Sequence, residues 1–148
     1  MEVNVYIKSE IRAPQRKDAA AMWLVEFITK DGIPITRQGI IYLENTTETE
    51  LTLSAIVEAM NILNKRCEVR IKTEAGGIIT ALENNWYVDW QQNDYKTVKG
   101  CKIKCAELWE QFCALMTKHD CIVSKEHHSY EEVMRRELAK AHKDRSGG

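Results

Sequence analysis

Several classes of protein are excluded by what this sequence lacks. No apolar run approaches the roughly 20 residues that a membrane-spanning helix needs, so a transmembrane protein is not expected. Neither sign of charge dominates: the 21 basic and 22 acidic side chains give a formal net charge of -1, and any affinity for nucleic acid must come from a local patch. No Ser-His-Asp order, phosphate-binding glycine loop or Cys-His nucleophile pattern is present.

The cysteines do not form the paired motifs of metal or redox sites. Five are present, and no two of them have CxxC spacing: Cys67, Cys101, Cys105, Cys113 and Cys121. The odd count and the lack of a signal peptide predict reduced thiols and a cytoplasmic location. The Cys101 and Cys105 pair has no second pair of ligands after it, so we expect no structural zinc.

The first third of the sequence predicts three strands. Residues 2–9 alternate between apolar and polar side chains, which is the period of a strand with two distinct faces. Residues 19–29 and 33–44 predict a second and a third strand. Because Asp31-Gly32 separates these two runs, we expect them to form an antiparallel hairpin.

Helical signals begin in the middle of the chain. Thr47 is followed three residues later by Glu50, and this capping box predicts the start of a helix that packs on the sheet. The elements expected after it are a fourth strand at 67–73, a helix at 75–84, a polar excursion at 84–104, a helix from Ala106, a fifth strand at 120–124 and a helix at 130–142. The order predicts one α/β domain over residues 1–142 and a disordered tail at 143–148.

Four motifs in this order resemble the ribonuclease H type 1 family, especially its short stand-alone bacterial members. They are TTETELTLSAIVEAM at 46–60, IKTEA at 71–75, AELWEQF at 106–112 and HHSYEEVMRRELAKA at 127–141. The resemblance implies a five-stranded mixed sheet, with three antiparallel strands followed by two parallel ones, flanked by helices. It also implies a site that cleaves the RNA strand of an RNA–DNA hybrid with two Mg²⁺ ions.

The resemblance implies four metal-binding carboxylates, and this sequence departs from that pattern. In chain order the four positions fall on Lys8, Thr52, Glu74 and Arg136, so only Glu74 keeps an acid. The family's mobile histidine falls on His128. Two divalent ions about 4 Å apart need converging oxygen ligands, and an ammonium group beside them is repelled by several kcal/mol. We therefore expect a degenerate active site.

Two interpretations of the remaining charges are open. We predict that the Lys8 ammonium pairs with Glu74 and replaces the metal, so that no cofactor is required. The alternative to this pairing is a solvated Lys8 and a Glu74 at a helix N-terminus. Displaced carboxylates could instead rebuild a site for Mg²⁺ or Mn²⁺, with Glu74 and Glu10 as ligands; other acids near the lost positions are Glu48, Glu50, Glu131 and Glu132.

The polar excursion is a candidate nucleic-acid surface. Trp86 and Trp90 offer flat apolar faces, and four lysines offer phosphate neutralisation: Lys96, Lys99, Lys102 and Lys104. Nearby acids dilute this charge, and the alternative is that the tryptophans only anchor the excursion to the sheet. The family's asparagine ahead of the AELWEQF helix falls on Cys105, which is a weak donor.

These observations favour an RNase H-like domain without a working two-metal site, a pseudoenzyme. We expect a cytoplasmic monomer that binds an RNA–DNA hybrid, structured RNA or a protein partner, and no membrane. The alternative function is an active metal-dependent ribonuclease H that cleaves RNA in RNA–DNA hybrids with rearranged carboxylates.

Overall fold

A five-stranded mixed sheet forms the centre of the fold. The structure, a computed structural model, describes residues 2–12, 15–96, 103–125 and 128–147. The strands are β1 (Glu2–Ser9), β2 (Lys17–Ile28), β3 (Pro34–Thr46), β4 (Glu68–Lys72) and β5 (Asp120–Ser124). They lie in the order β3-β2-β1-β4-β5; the β1-β2 and β2-β3 pairs are antiparallel, and the β1-β4 and β4-β5 pairs are parallel. The predicted sheet of three antiparallel and two parallel strands is confirmed.

Helices cover both faces of this sheet. They are α1 (Glu48–Met60), α2 (Gly76–Glu83), α3 (Trp86–Gln92), α4 (Ala106–Lys118) and α5 (Glu131–Gly147). The predicted polar excursion therefore contains the short helix α3, and its residues 97–102 lie outside the described part of the chain. In the part of the chain that the structure describes, no helix has the length and apolar character needed to cross a bilayer.

The alternation along β1 divides the core into two layers. Val3 and Ile7 belong to the larger core, which β1 shares with α1 and α4. Tyr6 points to the other face, where it packs with Met134 of α5. Because side chains two residues apart in a strand share a face, Lys8 lies on the Tyr6 side of the sheet, at the carboxyl end of β1.

Helix α1 begins where the capping signal predicted. The Thr47 side chain accepts a hydrogen bond from the Glu50 backbone N–H at 3.3 Å. The Glu50 carboxylate in turn accepts a hydrogen bond from the Thr46 hydroxyl. The sequence thus located the helix start correctly, although the second half of the capping box uses the residue before the cap.

A glycine lets the β2-β3 hairpin close against an indole ring. Gly39 of β3 lies opposite Trp23 of β2, and a Cβ atom at Gly39 would lie 2.7 Å from the indole. The Trp23 Nε1 group donates a hydrogen bond to Glu58 of α1 at 3.3 Å. Any larger residue at position 39 must therefore displace a side chain that joins the hairpin to α1.

Helix α5 extends further than the sequence predicted. It continues to Gly147, so residues 143–147 are helical where we expected a disordered tail. Near its end, an Arg145 guanidinium nitrogen donates a hydrogen bond to the Glu10 carboxylate at 2.8 Å. The same guanidinium lies 4.7 Å from the centroid of the Tyr42 ring. These contacts give the last turn of α5 an attachment to the sheet.

Candidate functional site

A small pocket lies where the carboxyl ends of the parallel strands β1 and β4 meet the first turns of α1 and α5. We name it the central pocket, and its volume is about 30 Å³, room for one water molecule or one small ion. Its ionisable lining consists of the carboxylates Glu48, Glu74 and Glu131, the cations Lys8, Arg12, Lys72 and Lys125, and His128. Open α/β sheets place ligand sites at this edge.

One partly buried cation of this group contacts α5. The Lys8 side chain is 10% exposed, and its Nζ lies 3.7 Å from Glu131 Oε1 in the first turn of α5. The predicted pair between Lys8 and Glu74 is wrong, because among the described residues the ion pair of Lys8 is with Glu131. The physical reason is the strand face: Lys8 shares the side of β1 that α5 covers, and Glu74 is an exposed residue after β4.

Two further carboxylates, Glu48 and Glu74, line the pocket. Burial raises the pKa of Glu48, the nearby Glu74 carboxylate raises it further, and Lys125 lowers it. Thr52, one helical turn after Glu48, also lines the pocket, and its buried hydroxyl has no hydrogen-bond partner among the described residues. An unpaired buried hydroxyl costs about 1–3 kcal/mol, so this wall of the pocket favours a polar occupant.

His128 lies on an aromatic support at the edge of the pocket. Its ring stacks on Tyr6, with 4.2 Å between the centroids and 27° between the planes. Its Nδ1 accepts a hydrogen bond from the Tyr130 backbone N–H at 3.2 Å. The Lys72 ammonium lies 5.7 Å from the centroid of the same Tyr6 ring. The position of His128 is therefore fixed by the β1 face and by the turn before α5.

The two tyrosines of this support share a buried carboxylate. Glu26 of β2 is 9% exposed. It accepts hydrogen bonds from Asn4 Nδ2 at 2.9 Å, from the Tyr6 hydroxyl at 3.1 Å and from the Tyr130 hydroxyl. Burial alone would raise the pKa of Glu26, but the hydrogen bonds from Tyr130, Asn4 and Tyr6 outweigh it and the net pKa is lowered. Glu26 is thus an anion that the sequence analysis did not identify.

A larger groove leads away from the central pocket. It has a volume of about 680 Å³ and shares Arg12 and Glu48 with the central pocket. We name it the basic groove, because its described charged lining is Arg12, Arg16, Lys104 and Glu48. Arg16 is oriented by a hydrogen bond from its Nη1 to the Asn45 carbonyl at 2.6 Å. The groove is locally positive although the whole chain is not.

The two tryptophans of the excursion differ in burial and contacts. Trp90 packs on the buried Trp109, with 4.9 Å between ring centroids, and so anchors α3 to α4. Trp86 lines the groove and is 45% exposed. Gly77 brings the start of α2 close to this surface, since a Cβ atom there would lie 2.9 Å from the Thr49 hydroxyl. Anchoring and surface exposure are thus both present.

Comparison with known proteins gives one consistent family name. A curated ribonuclease H from Caldicellulosiruptor saccharolyticus is 32% identical over 98 residues, which cover 66% of this chain and 66% of the relative. The crystal structure of LC9-RNase H1, a type 1 RNase H with the type 2 active-site motif, matches 94% of this chain and 71% of its own, with a TM-score of 0.72 and 21% identity. The chain is an RNase H-like protein.

The similarity has clear bounds. The chain spans from slightly under half to about two thirds of the length of the curated relatives that it matches. No protein-family model matches the sequence. A foamy viral protease-reverse transcriptase in complex with RNA/DNA hybrid shares the RNase H-like fold, with a TM-score of 0.62 and 16% identity over 94% of this chain and 19% of the viral one.

The positions carried over from the family separate into two groups in this RNase H-like protein. Lys8, Thr52, Glu74 and His128 all line the central pocket. Arg136 is an exposed residue of α5 and does not line it among the described residues. Four of the five positions therefore converge as the family pattern implies, although only one of them carries a carboxylate.

The helical carboxylates of the pocket come from neighbouring positions. Glu48 stands four residues before Thr52, on the same face of α1. This helical spacing was the sequence signal that could have identified Glu48 as a pocket residue. Glu131 lies at the start of α5, five residues before Arg136, and its approach to Lys8 depends on how the helix packs on the sheet. No local pattern in the sequence specifies that packing.

Glu10 is not among the described residues that line the central pocket. Its carboxylate accepts a hydrogen bond from the Ala20 backbone N–H at 2.7 Å and is bound by Arg145. His142 Nδ1 lies 3.5 Å from the other oxygen. Among the described residues Glu10 thus joins β2 and α5 instead of lining the central pocket, where the enzyme alternative required it.

The donor set of the central pocket does not fit two divalent ions. The described residues contain no group of three or more His, Cys, Asp or Glu side chains arranged to hold a metal. The Thr52 hydroxyl and the carboxylates of Glu48 and Glu74 favour a polar occupant, but the Lys8 side chain, which is 10% exposed, lines the same water-sized space. The Lys8 ammonium would repel a divalent ion bound in this pocket.

Only part of the predicted lysine patch falls on the described surface. Lys104 lines the basic groove, and Lys96 is exposed outside it. Lys99 and Lys102 lie outside the described residues. Cys105 lines the groove and has a left-handed backbone, with φ of 59°, at the N-cap of α4. Burial raises the pKa of its thiol.

Proposed function

We propose that this RNase H-like protein binds nucleic acid, an RNA–DNA hybrid in the first instance, along the basic groove, and that it does not cleave the bound strand by a two-metal reaction. The observation that carries the proposal is the continuity of the groove with the central pocket, since Arg12 and Glu48 line both. A bound strand can therefore pass from a basic channel to the edge of the sheet.

The groove has the chemistry of a phosphate-binding surface. Arg12, Arg16 and Lys104 provide cations, and Glu48 is the described carboxylate among them. Proteins with little net charge bind nucleic acid through such local patches, because each phosphate that is neutralised releases counterions. The exposed ring of Trp86 adds a flat apolar surface for a base or sugar.

The character of the central pocket supports binding without cleavage. The two-metal reaction requires carboxylates that hold two ions about 4 Å apart. Here the Lys8 ammonium is paired with Glu131, and both side chains line a pocket of about 30 Å³. The viral structural neighbour in complex with RNA/DNA hybrid supports the choice of hybrid as the first ligand to test.

The proposal is tested by hybrid binding at several salt concentrations. We expect the logarithm of the association constant to fall steeply and linearly with the logarithm of salt concentration, by fluorescence anisotropy of a labelled hybrid. Arg16→Ala and Lys104→Ala should each weaken binding and reduce the slope by about one. Lys30→Ala, at an exposed turn outside the groove, is the charge-matched control. A flat salt response would reject a phosphate surface and favour a protein partner.

Active hydrolysis is the second candidate, because three carboxylates still line the central pocket. Glu48, Glu74 and Glu131 line the pocket together with Thr52, whose buried hydroxyl has no hydrogen-bond partner among the described residues, and the curated relatives are named ribonuclease H. The test is cleavage of a hybrid at high protein concentration with Mg²⁺ and with Mn²⁺. Turnover that Glu74→Gln abolishes would establish an enzyme and overturn the proposal of binding alone.

A further inference from the structure

We infer that β3 is an interface between two copies of this chain, in which the free edge of one β3 pairs antiparallel with the same edge of the other. The pairing joins the two sheets into one sheet of ten strands, five from each copy. It departs from the monomer expected from the sequence. No described residue of β3 lines the basic groove, so the interface holds or fails independently of nucleic-acid binding.

The first step is that β3 is a long strand at the edge of the sheet. One side of β3 pairs with β2, and no strand among the described residues pairs with its other side. β3 has 13 residues, whereas β5, at the opposite edge of the sheet, has only 5. A free edge presents a row of backbone N–H and C=O groups, and the partner that satisfies such a row is another strand.

The second step is that this edge lacks the usual protection against pairing. Free edges are commonly protected by lysine, by proline or by a short strand. β3 contains no lysine, and its proline, Pro34, is its first residue. Its charged residues are Arg37 and Glu44, so the segment 38–43 between them carries no charge. The centre of β3 is therefore open to pairing.

The third step is the exposed apolar surface along the strand. Ile40 is 41% exposed and Tyr42 is 43% exposed, and both point to the face of the sheet that α5 covers. Ile35, on the other face, is 45% exposed, and Ile33, directly before β3, is 61% exposed. Large apolar side chains that follow one strand in this way mark an interaction surface more clearly than scattered ones do.

Symmetry and side-chain pairing select the register. Opposing residues of an antiparallel pair share a face, so a twofold pair of identical strands is centred on one residue. With the centre on Ile41, Ile40 of each copy lies opposite Tyr42 of the other, a favourable pair of a β-branched and an aromatic residue. A centre on Gly39 or on Ile40 would instead place a glutamine opposite one of these two apolar residues.

The same register is compatible with the charges of β3. Glu44 of each copy lies opposite Gln38 of the other, and both side chains are exposed. The Gln38 amide can donate a hydrogen bond to the Glu44 carboxylate. The two Arg37 side chains lie at opposite ends of the paired segment, so no like charges face each other.

The size of the interface predicts a weak, reversible dimer. Pairing over residues 37–45 buries less surface than a standard interface does, so we expect a dissociation constant of about 10–100 µM. Gln38→Glu places like charges opposite each other twice, and it should weaken association by about fivefold. Gln38→Lys places opposite charges there and should strengthen association by about fivefold.

The experiment is sedimentation equilibrium without nucleic acid, from about 1 µM to about 1 mM protein. The unaltered chain should show a monomer–dimer equilibrium that Gln38→Glu shifts towards the monomer. Glu44→Lys in the Gln38→Glu background should restore the dimer. Gln92→Glu is the matched control, because it makes the same charge change at an exposed position of α3. Circular dichroism establishes that each variant is folded.

Three results would overturn the inference. A chain that stays monomeric over the whole range would leave the edge of β3 to a strand of another protein. A dimer that Gln38→Glu and Gln92→Glu affect equally would use a different surface. A dimer that Gln38→Glu weakens and Glu44→Lys does not restore would reject the register. Hybrid anisotropy is measured separately on the Gln38→Glu chain, so a failure of the proposed function is distinguished.

Discussion

The buried Glu26 carboxylate is expected to be a major source of stability, and Tyr130→Phe tests this. The substitution removes the Tyr130 hydroxyl, one of the donors that bind Glu26, while Asn4 and Tyr6 keep their hydrogen bonds. Hydrogen bonds to charged groups contribute about 1.5–3 kcal/mol, and Glu26 is only 9% exposed. We therefore expect the free energy of unfolding at neutral pH to fall by about 2 kcal/mol.

The same network predicts a pH dependence with a definite sign. The net pKa of Glu26 is lowered in the folded chain from its ordinary value of 4.5. The folded state therefore takes up the proton at lower pH than the unfolded state does. The stability from this group is fully present above pH 4.5 and is lost as the pH falls through the folded pKa. The difference between Tyr130→Phe and the unaltered chain should shrink over that range.

Urea unfolding at a series of pH values measures both effects. Tyr42→Phe is the matched control, because Tyr42 is 43% exposed and its change should stay within about 0.5 kcal/mol. A Tyr130→Phe chain as stable as the control at neutral pH would refute the assigned role of Glu26. So would a difference between the two variants that does not change as the pH is lowered.

Other predictions concern backbone strain, close packing and a buried histidine. Cys105→Asn should stabilise the chain by about 1 kcal/mol in urea unfolding, since Cys105 has φ of 59° and asparagine tolerates the left-handed region better. Gly39→Ala should destabilise it by about 1–3 kcal/mol in the same assay, because the added Cβ would lie 2.7 Å from the Trp23 indole. The buried His119 accepts a hydrogen bond from the Cys67 backbone N–H, and its pKa is lowered from 6.5, first by burial. Stability should therefore fall as the pH drops below about 6.5, and His119→Gln should lose this component in pH-dependent thermal unfolding.

Much of the fold was predictable because its signals are local. The alternation over residues 2–9 specified β1 with its observed bounds, Glu2–Ser9, and the Thr47 and Glu50 pair located the start of α1. The Asp31-Gly32 turn joined two strands whose pairing is antiparallel as expected. Each of these features depends on residues that are close together in the sequence. Such features can be recognised from the hydrophobic period or from the spacing of a short motif.

The partners of the site residues were less predictable, because packing between distant elements decides them. The strand pattern places Lys8 on one face of β1, but which carboxylate it meets depends on where α5 begins above the sheet. The predicted partner was Glu74, the acid at the family position, whereas the observed partner is Glu131. The role of Glu26 is also non-local, since its donors come from β1 and from the turn before α5.

Ion pairs attach both ends of α5 to residues in or next to the sheet. Lys8 holds its first turn through Glu131, and Glu10 holds its last turn through Arg145. A chain shortened after residue 142 would lose the Arg145 contact, whereas the buried Met134 and Leu138 would still pack the middle of the helix on the sheet. The Glu10 carboxylate, which also binds the Ala20 backbone N–H, would then have only His142 facing it from α5, so the cut would be felt at the sheet edge beside β1 and β2.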